Sequence, residues 1–209
     1  MEELSSCPIC RSSDVKNALP VPDFFLTQEV FQVVECSSCG YAFTNPRPDQ
    51  RHIGRYYQSE DYISHTNSRK GLQDALYQLA RKWALGTKYK LVHSYQREGQ
   101  VLDIGCGTGE FLSHLMSRGY LVEGVEPDVK AREQAIANHG IAVVPSLDKV
   151  TNKEYYQVIT MWHVLEHVPD ARATFKKLFA LLAARGILII AVPDRDSWDN
   201  QHYGTRWVI

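Results

Sequence analysis

The chain has 209 residues, 44% of them apolar and 22% charged, with a formal net charge of −1. That apolar share is enough for a packed core and excludes a disordered chain. The near-neutral balance gives no global positive field for nucleic acid or anionic lipid, and no apolar run approaches the ~18–20 residues of a transmembrane helix. The N-terminus (Met-Glu-Glu-Leu-Ser-Ser) is acidic and lacks the apolar stretch of a signal peptide, so a reducing, cytoplasmic location is expected.

Residues 1–60 hold two cysteine pairs, Cys7/Cys10 and Cys36/Cys39, among prolines and short apolar runs. Two Cys-x-x-Cys pairs separated by 25 residues are a tetrahedral zinc signature. Gly40 fits the tight turn after the second pair. A segment this small has little core of its own, so a bound metal would supply much of its folding free energy. Four thiolates leave no open position, so the zinc is expected to be structural.

Residues 61–98 read as a helical linker or cap. Leu72, Leu76, Leu79 and Trp83 fall on one helix face, and Gly86 is expected to break or bend the helix. Residues 99–209 then alternate strand and helix. Strands are expected at Val101–Ile104, Tyr120–Val125, Ile141–Val144, Tyr156–Trp162 and Ile187–Val192. Between them, Phe111, Leu112, Leu115 and Met116 form a helix face ending at Gly119. Asp128 caps a helix stopped by Gly140, and Asp170 one that carries Phe175, Leu178, Phe179 and Leu182 and is closed by Gly186. Apolar strands alternating with helices imply an α/β fold, its parallel sheet buried on both faces.

In such sheets ligands bind beyond the carboxyl ends of the strands. The first strand runs from Asp103 into Gly105-Cys106-Gly107-Thr108-Gly109. A dinucleotide fingerprint would place its third glycine at position 110, which is Glu110. A carboxylate there repels pyrophosphate but tolerates a cationic ligand, which weakens an NAD-dependent reading. Glu126 follows Gly105 by 21 residues, the spacing of an acidic ribose ligand. A ribose and a cation without phosphate describe S-adenosylmethionine (SAM).

Val101 to Leu112, then Gly124 to Asp128, resemble the first two motifs of class I SAM-dependent methyltransferases. Ile159 to Asp170 and Gly186 to Pro193 are similar to the segments at the fourth and fifth strands of the family's small-molecule branch, so that the resemblance covers roughly residues 65–209. It implies a Rossmann-like parallel sheet in which Gly105 and Gly107 lie under the methionine part and Asp103 near its amino group. Glu126 would hold the ribose, Ser146 and Leu147 would flank the adenine, and Trp162 and His163 would border the methyl group. Cys106, Gly109 and Pro127 complete the expected cofactor-binding set. The cysteine segment in turn resembles the zinc-ribbon-like N-terminus of some bacterial methyltransferases, where an Asn-Pro-Arg-Pro stretch (here Asn45 to Pro48) and a Tyr pair (here Tyr56-Tyr57) follow. Class I members place two further strands after the fifth. The chain ends two residues past Trp207, so a shortened member or part of a longer protein is expected.

Methyl transfer needs alignment above all, and a hydroxyl acceptor also benefits from a base such as histidine. His163 and His167 are the catalytic candidates, with Glu166 beside them. On a helix the three would share a face, a spacing that also suits a divalent metal. Some related O-methyltransferases bind a metal through Glu-x-x-Glu-His, but His163 replaces the first Glu. Trp198, Asp199, His202, Tyr203 and Trp207 could line an acceptor wall. The expected function is methyl transfer to a small molecule such as a sugar or a polyketide or peptide intermediate. One rival is an RNA methyltransferase, favoured by seven Lys/Arg against one acid over residues 69–97 but not by the overall charge. A second rival is a SAM-binding module without catalysis.

Overall fold

The computed structural model of the chain describes residues 1–24, 27–49, 52–53, 56, 72–194 and 196–204, with the side chains of 17, 18 and 72–77 left out. Tyr57, Trp207 and the Leu72 and Leu76 side chains lie outside the described residues. The chain divides into two units: residues 1–68 with 169–172 and 193–209, and residues 69–168 with 173–192.

The first unit contains an antiparallel sheet of β1 (Val15–Pro22), β2 (Val30–Cys36) and β3 (Ala42–Thr44), in that order. Two similar turns present the cysteines. The Arg11 amide donates to the Cys7 carbonyl at 2.9 Å, and the Gly40 amide to the Cys36 carbonyl at 2.8 Å. Arg11 (φ 64°) and Gly40 (φ 73°) take the same left-handed place in the two turns. Asn45 ties the N-terminal segment to the end of β3: its amide oxygen accepts from the Leu4 amide at 2.8 Å, and its amide nitrogen donates to the Leu4 carbonyl at 3.0 Å. Tyr56 donates to Glu29 at 2.6 Å and packs edge-on against Phe31.

The second unit is a five-stranded parallel sheet, order β6-β5-β4-β7-β8. Its strands are β4 (Gln100–Ile104), β5 (Leu121–Val125), β6 (Ala142–Val144), β7 (Tyr156–Trp162) and β8 (Leu182–Ala191). Helices α1 (Leu72–Tyr95), α2 (Glu110–Met116), α3 (Val129–His139) and α4 (Ala171–Leu181) accompany them, whereas α5 (Trp198–Tyr203) belongs to the first unit. The period-2 alternation of β4 and β7 sorts the core into two layers. Leu102, Ile104, Ile159 and Met161 pack with Leu178 and Leu181 of α4. Val101 and Val158 face the other way, with Val92 of α1 and Phe111 and Leu115 of α2. Each fully buried aliphatic side chain contributes about 1.5–3 kcal/mol.

Several expected elements hold. The Asp128 carboxylate accepts from the Ala131 amide at 2.8 Å at the start of α3, and Gly140 ends it in the left-handed region. Others need correction. Gly86 neither breaks nor ends α1, which runs through it; a single glycine costs a helix only about 1 kcal/mol, which the packed inner face outweighs. That inner face is Leu85, Tyr89 and Val92, not Leu79 and Trp83, which are 64% and 75% exposed. Met116 is likewise exposed. Leu182 belongs to β8 rather than to α4, because it pairs with Tyr156 of β7.

Candidate cofactor cleft and metal centre

Strand order reverses at β4, with β5 on one side and β7 on the other, so the crevice for a ligand opens at the carboxyl ends of β4 and β7. Asp103 and Thr160 are register partners there. Both are buried, and the Thr160 hydroxyl donates to the Asp103 carboxylate at 2.6 Å. Burial pushes the Asp103 carboxyl up to about 7, against the pull of Thr160 and of the Lys88 ammonium.

Beyond β4 the chain turns through Gly105, Gly107 and Gly109, all with positive φ. A Cβ at Gly105 would stand 2.4 Å from Cγ2 of Val164, so this position admits only glycine. The Gly105 and Cys106 amides both donate to the Val125 carbonyl, at 2.7 and 3.1 Å. Glu126, at the end of β5, accepts from the Gly107 amide at 2.8 Å and the Asp128 amide at 2.9 Å. Pro127 follows it directly. Cys106 is buried, and its thiol is pushed up to about 12 by burial and then by Asp103 and Glu126, so it packs rather than reacts. Its sulfur fills the space that Gly124 on β5 leaves: a Cβ there would lie 2.5 Å away.

A cleft of about 250 Å³ opens on this turn, lined by Arg81, Ala84, Leu85 and Lys88 of α1 and by Asp103, Gly105, Cys106, Glu110, Phe111 and Trp162. Sequence reasoning missed Arg81, Lys88 and Phe111. The signal was present: positions 81, 85, 88 and 92 share one helix face, and Leu85 and Val92 mark that face as inward. Arg81 pairs with Glu110, and the Thr108 hydroxyl donates to the same carboxylate. Burial pushes Glu110 up, but Thr108, its own backbone amide and Arg81 outweigh that and hold it below the usual carboxylate range. Lys88 lies over the Trp162 ring at 4.7 Å and the Phe111 ring at 5.7 Å. Its burial lowers its pKa, while Asp103 opposes the shift. Among the described residues, the indole N–H of Trp162 is buried with no partner.

The remaining expected residues are not in its lining. Ser146 precedes a 3-10 turn, Leu147–Lys149, and Leu147 packs on the same core cluster as Val144 and Val164. His163 follows β7 with φ 57° and an exposed side chain, 3.8 Å from the Glu166 carboxylate. His163, Glu166 and His167 do not share a helix face, because residues 165–167 form a single 3-10 turn. Trp198 stacks on His202 within α5, with Tyr203 edge-on.

Among the described residues, only Cys7, Cys10, Cys36 and Cys39 converge as a metal-binding group, with all four sulfurs within 4.8 Å of one another. Cys7 and Cys39 are 3.7 Å apart, and Cys10 and Cys36 3.4 Å. Tetrahedral zinc with Zn–S bonds of about 2.3 Å places sulfurs about 3.8 Å apart, so the four thiols fit that ion. No described helix is long and apolar enough to cross a membrane.

The chain is 33% identical over 126 residues to a ubiquinone biosynthesis O-methyltransferase from Histophilus somni, covering 54% of this chain and 53% of the relative. A second such enzyme, from Glaesserella parasuis, is 32% identical, with 46% of each chain covered. The chain thus spans about half the length of the curated relatives it matches. The magnesium protoporphyrin IX methyltransferase of Synechocystis, solved with bound SAM, superposes with a TM-score of 0.54 at 22% identity over 73% of this chain and 80% of that one, which shows a shared fold. A SAM-dependent methyltransferase from Thermotoga maritima superposes with a TM-score of 0.50 at 25% identity, covering 63% and 62% of the two chains. Residues 71–208 match the sequence model of a methyltransferase domain family, and with the parallel sheet and glycine turn above, the chain belongs to that family.

Proposed function

We propose that the chain binds SAM at the end of β4 and transfers its methyl group to a hydroxyl of a small-molecule acceptor. The observation that carries this reading is the acidic lining of the glycine turn. Asp103 and Glu126 flank left-handed glycines where a phosphate-binding site would present amides free of carboxylates. Bound SAM supplies an activated methyl group, and the chain supplies alignment. Asp103 faces the cationic amino group. Glu126, already fixed by two amides, has carboxylate lone pairs left for ribose hydroxyls. The cleft takes only part of so large a ligand, the adenine end lying toward Ser146 and Leu147. His163, exposed beside Glu166, is the proposed base for the acceptor hydroxyl, with His167 supporting its loop. The names of the curated relatives support a small hydroxylated acceptor. The four cysteines hold a structural zinc.

The RNA-directed reading is less favoured. Two of the basic residues of α1 turn inward, Arg81 onto Glu110 and Lys88 onto Trp162. The test is isothermal titration of SAM and S-adenosylhomocysteine (SAH). Glu126→Ala weakens both by tenfold or more, whereas His163→Ala leaves binding intact and slows transfer. Unchanged binding in Glu126→Ala would overturn the cofactor assignment.

A further inference from the structure

Lys88 is the one charged group of the cleft whose role the proposed function leaves open. Two of the other lining charges cancel, since Arg81 pairs with Glu110. Lys88 instead stands over an aromatic pair, Phe111 and Trp162, whose rings meet edge-to-face at 5.6 Å and 86°. Such ring faces attract cations, and here the protein's own ammonium has taken them. A ligand cation entering the same cleft of about 250 Å³ therefore finds the rings occupied and a like charge beside it. For charges ~6 Å apart at an effective dielectric near 20, such repulsion is equivalent to tenfold or more in affinity.

We infer that Lys88 sets the cofactor preference of the cleft by charge, disfavouring the sulfonium of SAM relative to the neutral thioether of SAH. This inference rests on the cofactor reading above. When the acceptor oxygen bonds to the methyl carbon, the S–C bond breaks, its electron pair returns to sulfur and the acceptor proton passes to a base or to solvent. The positive charge beside Lys88 thereby disappears, and so does the repulsion. Lys88 weakens binding before transfer and favours the transfer itself, a ground-state effect that lowers affinity and raises turnover together. Asp103, the register partner of Thr160 two positions before Trp162 on β7, offsets the ammonium only in part, because in the proposed complex it also faces the ligand's amino group.

The experiment measures Kd for SAM and for SAH separately by titration, in the wild-type chain and in Lys88→Met and Lys88→Arg. The wild type binds SAH about tenfold more tightly than SAM. Lys88→Met tightens SAM about tenfold and leaves SAH within about threefold, while Lys88→Arg, which keeps the charge, restores the wild-type ratio. In turnover, Lys88→Met lowers kcat and KM for SAM together. Equal weakening of SAM and SAH in Lys88→Met would overturn the inference, because Lys88 would then hold a group common to both ligands. An unchanged ratio would overturn it as well. The wild-type ratio is a test that no variant's folding can obscure: SAM binding as tight as SAH contradicts the inference. Failure of the folded wild type to bind either ligand would instead remove the cofactor reading beneath it.

Discussion

Residues 15–44 and residues 100–191 each form a sheet, yet they are held together by different physics. In the first sheet's segment the buried positions are few: Cys7, Val34 and Cys36 among the described residues of 1–49. The second buries Leu102, Leu112, Leu115, Ile159, Met161 and Leu178 completely, along with many neighbours. The fifth cysteine marks the contrast. Cys106 is a packing group inside the large core, whereas Cys7, Cys10, Cys36 and Cys39 converge on one point where apolar burial is scarce. A small sheet needs a staple, and a large one with two apolar layers does not.

The largest expected effect follows from that contrast. Metal removal by a chelator, or Cys36→Ser, abolishes amide protection over residues 15–44 and leaves it over residues 100–191. Hydrogen exchange read by mass spectrometry checks this, and simultaneous loss in both segments would break the comparison. Next, Gly105→Ala destabilises the parallel sheet by about 2–4 kcal/mol in denaturant unfolding, since it adds both a clash and a strained φ; the cysteine module keeps its exchange protection. The third effect is pH-dependent. Asp103 titrates near 7 in the folded chain, above the ~3.9 of an unfolded aspartate. The folded state therefore holds the extra proton between about pH 4 and 7. The stabilisation from the neutral carboxyl is complete below that window and is lost as pH rises through it, at no more than about 1.4 kcal/mol per pH unit. Asp103→Asn flattens this slope, and unfolding measured from pH 4 to 8 shows it. SAM binding near pH 6.5 is accompanied by proton release, read as a dependence of binding heat on buffer ionisation enthalpy. The smallest effect is at a helix end: Asp128→Ala costs about 1 kcal/mol of global stability through the lost cap on α3.

Much of this arrangement was legible in the chain's pattern. β7 matches its expected bounds because an apolar run bounded by polar loops has one reading in a parallel sheet. The cap at Asp128 and the stop at Gly140 are local chemistry, and local chemistry is what a sequence states most directly. The inner face of α1 was harder. Leu79 and Trp83 repeat with helical spacing, but Leu85, Tyr89 and Val92 do so as well, and only tertiary packing selects between two overlapping stripes. The same ambiguity hid Lys88, since a lysine on a basic helix reads as solvated until the neighbouring face is known to be inward. The segment after β7 misled for another reason. A spacing of three and four implies a shared face only on an α-helix, and His163 instead takes a left-handed backbone followed by a 3-10 turn.

The thiol of Cys106 and the bare Cα of Gly124 divide one pocket of space between two adjacent strands' ends. Positions 106 and 124 therefore cannot drift independently: a methyl added at 124 must be met by a side chain removed at 106. The pair forms a two-site compensation in which Gly124→Ala is poorly tolerated alone and better tolerated beside Cys106→Gly, while the nearby Leu112, 3.1 Å from the added carbon, limits how complete the rescue can be.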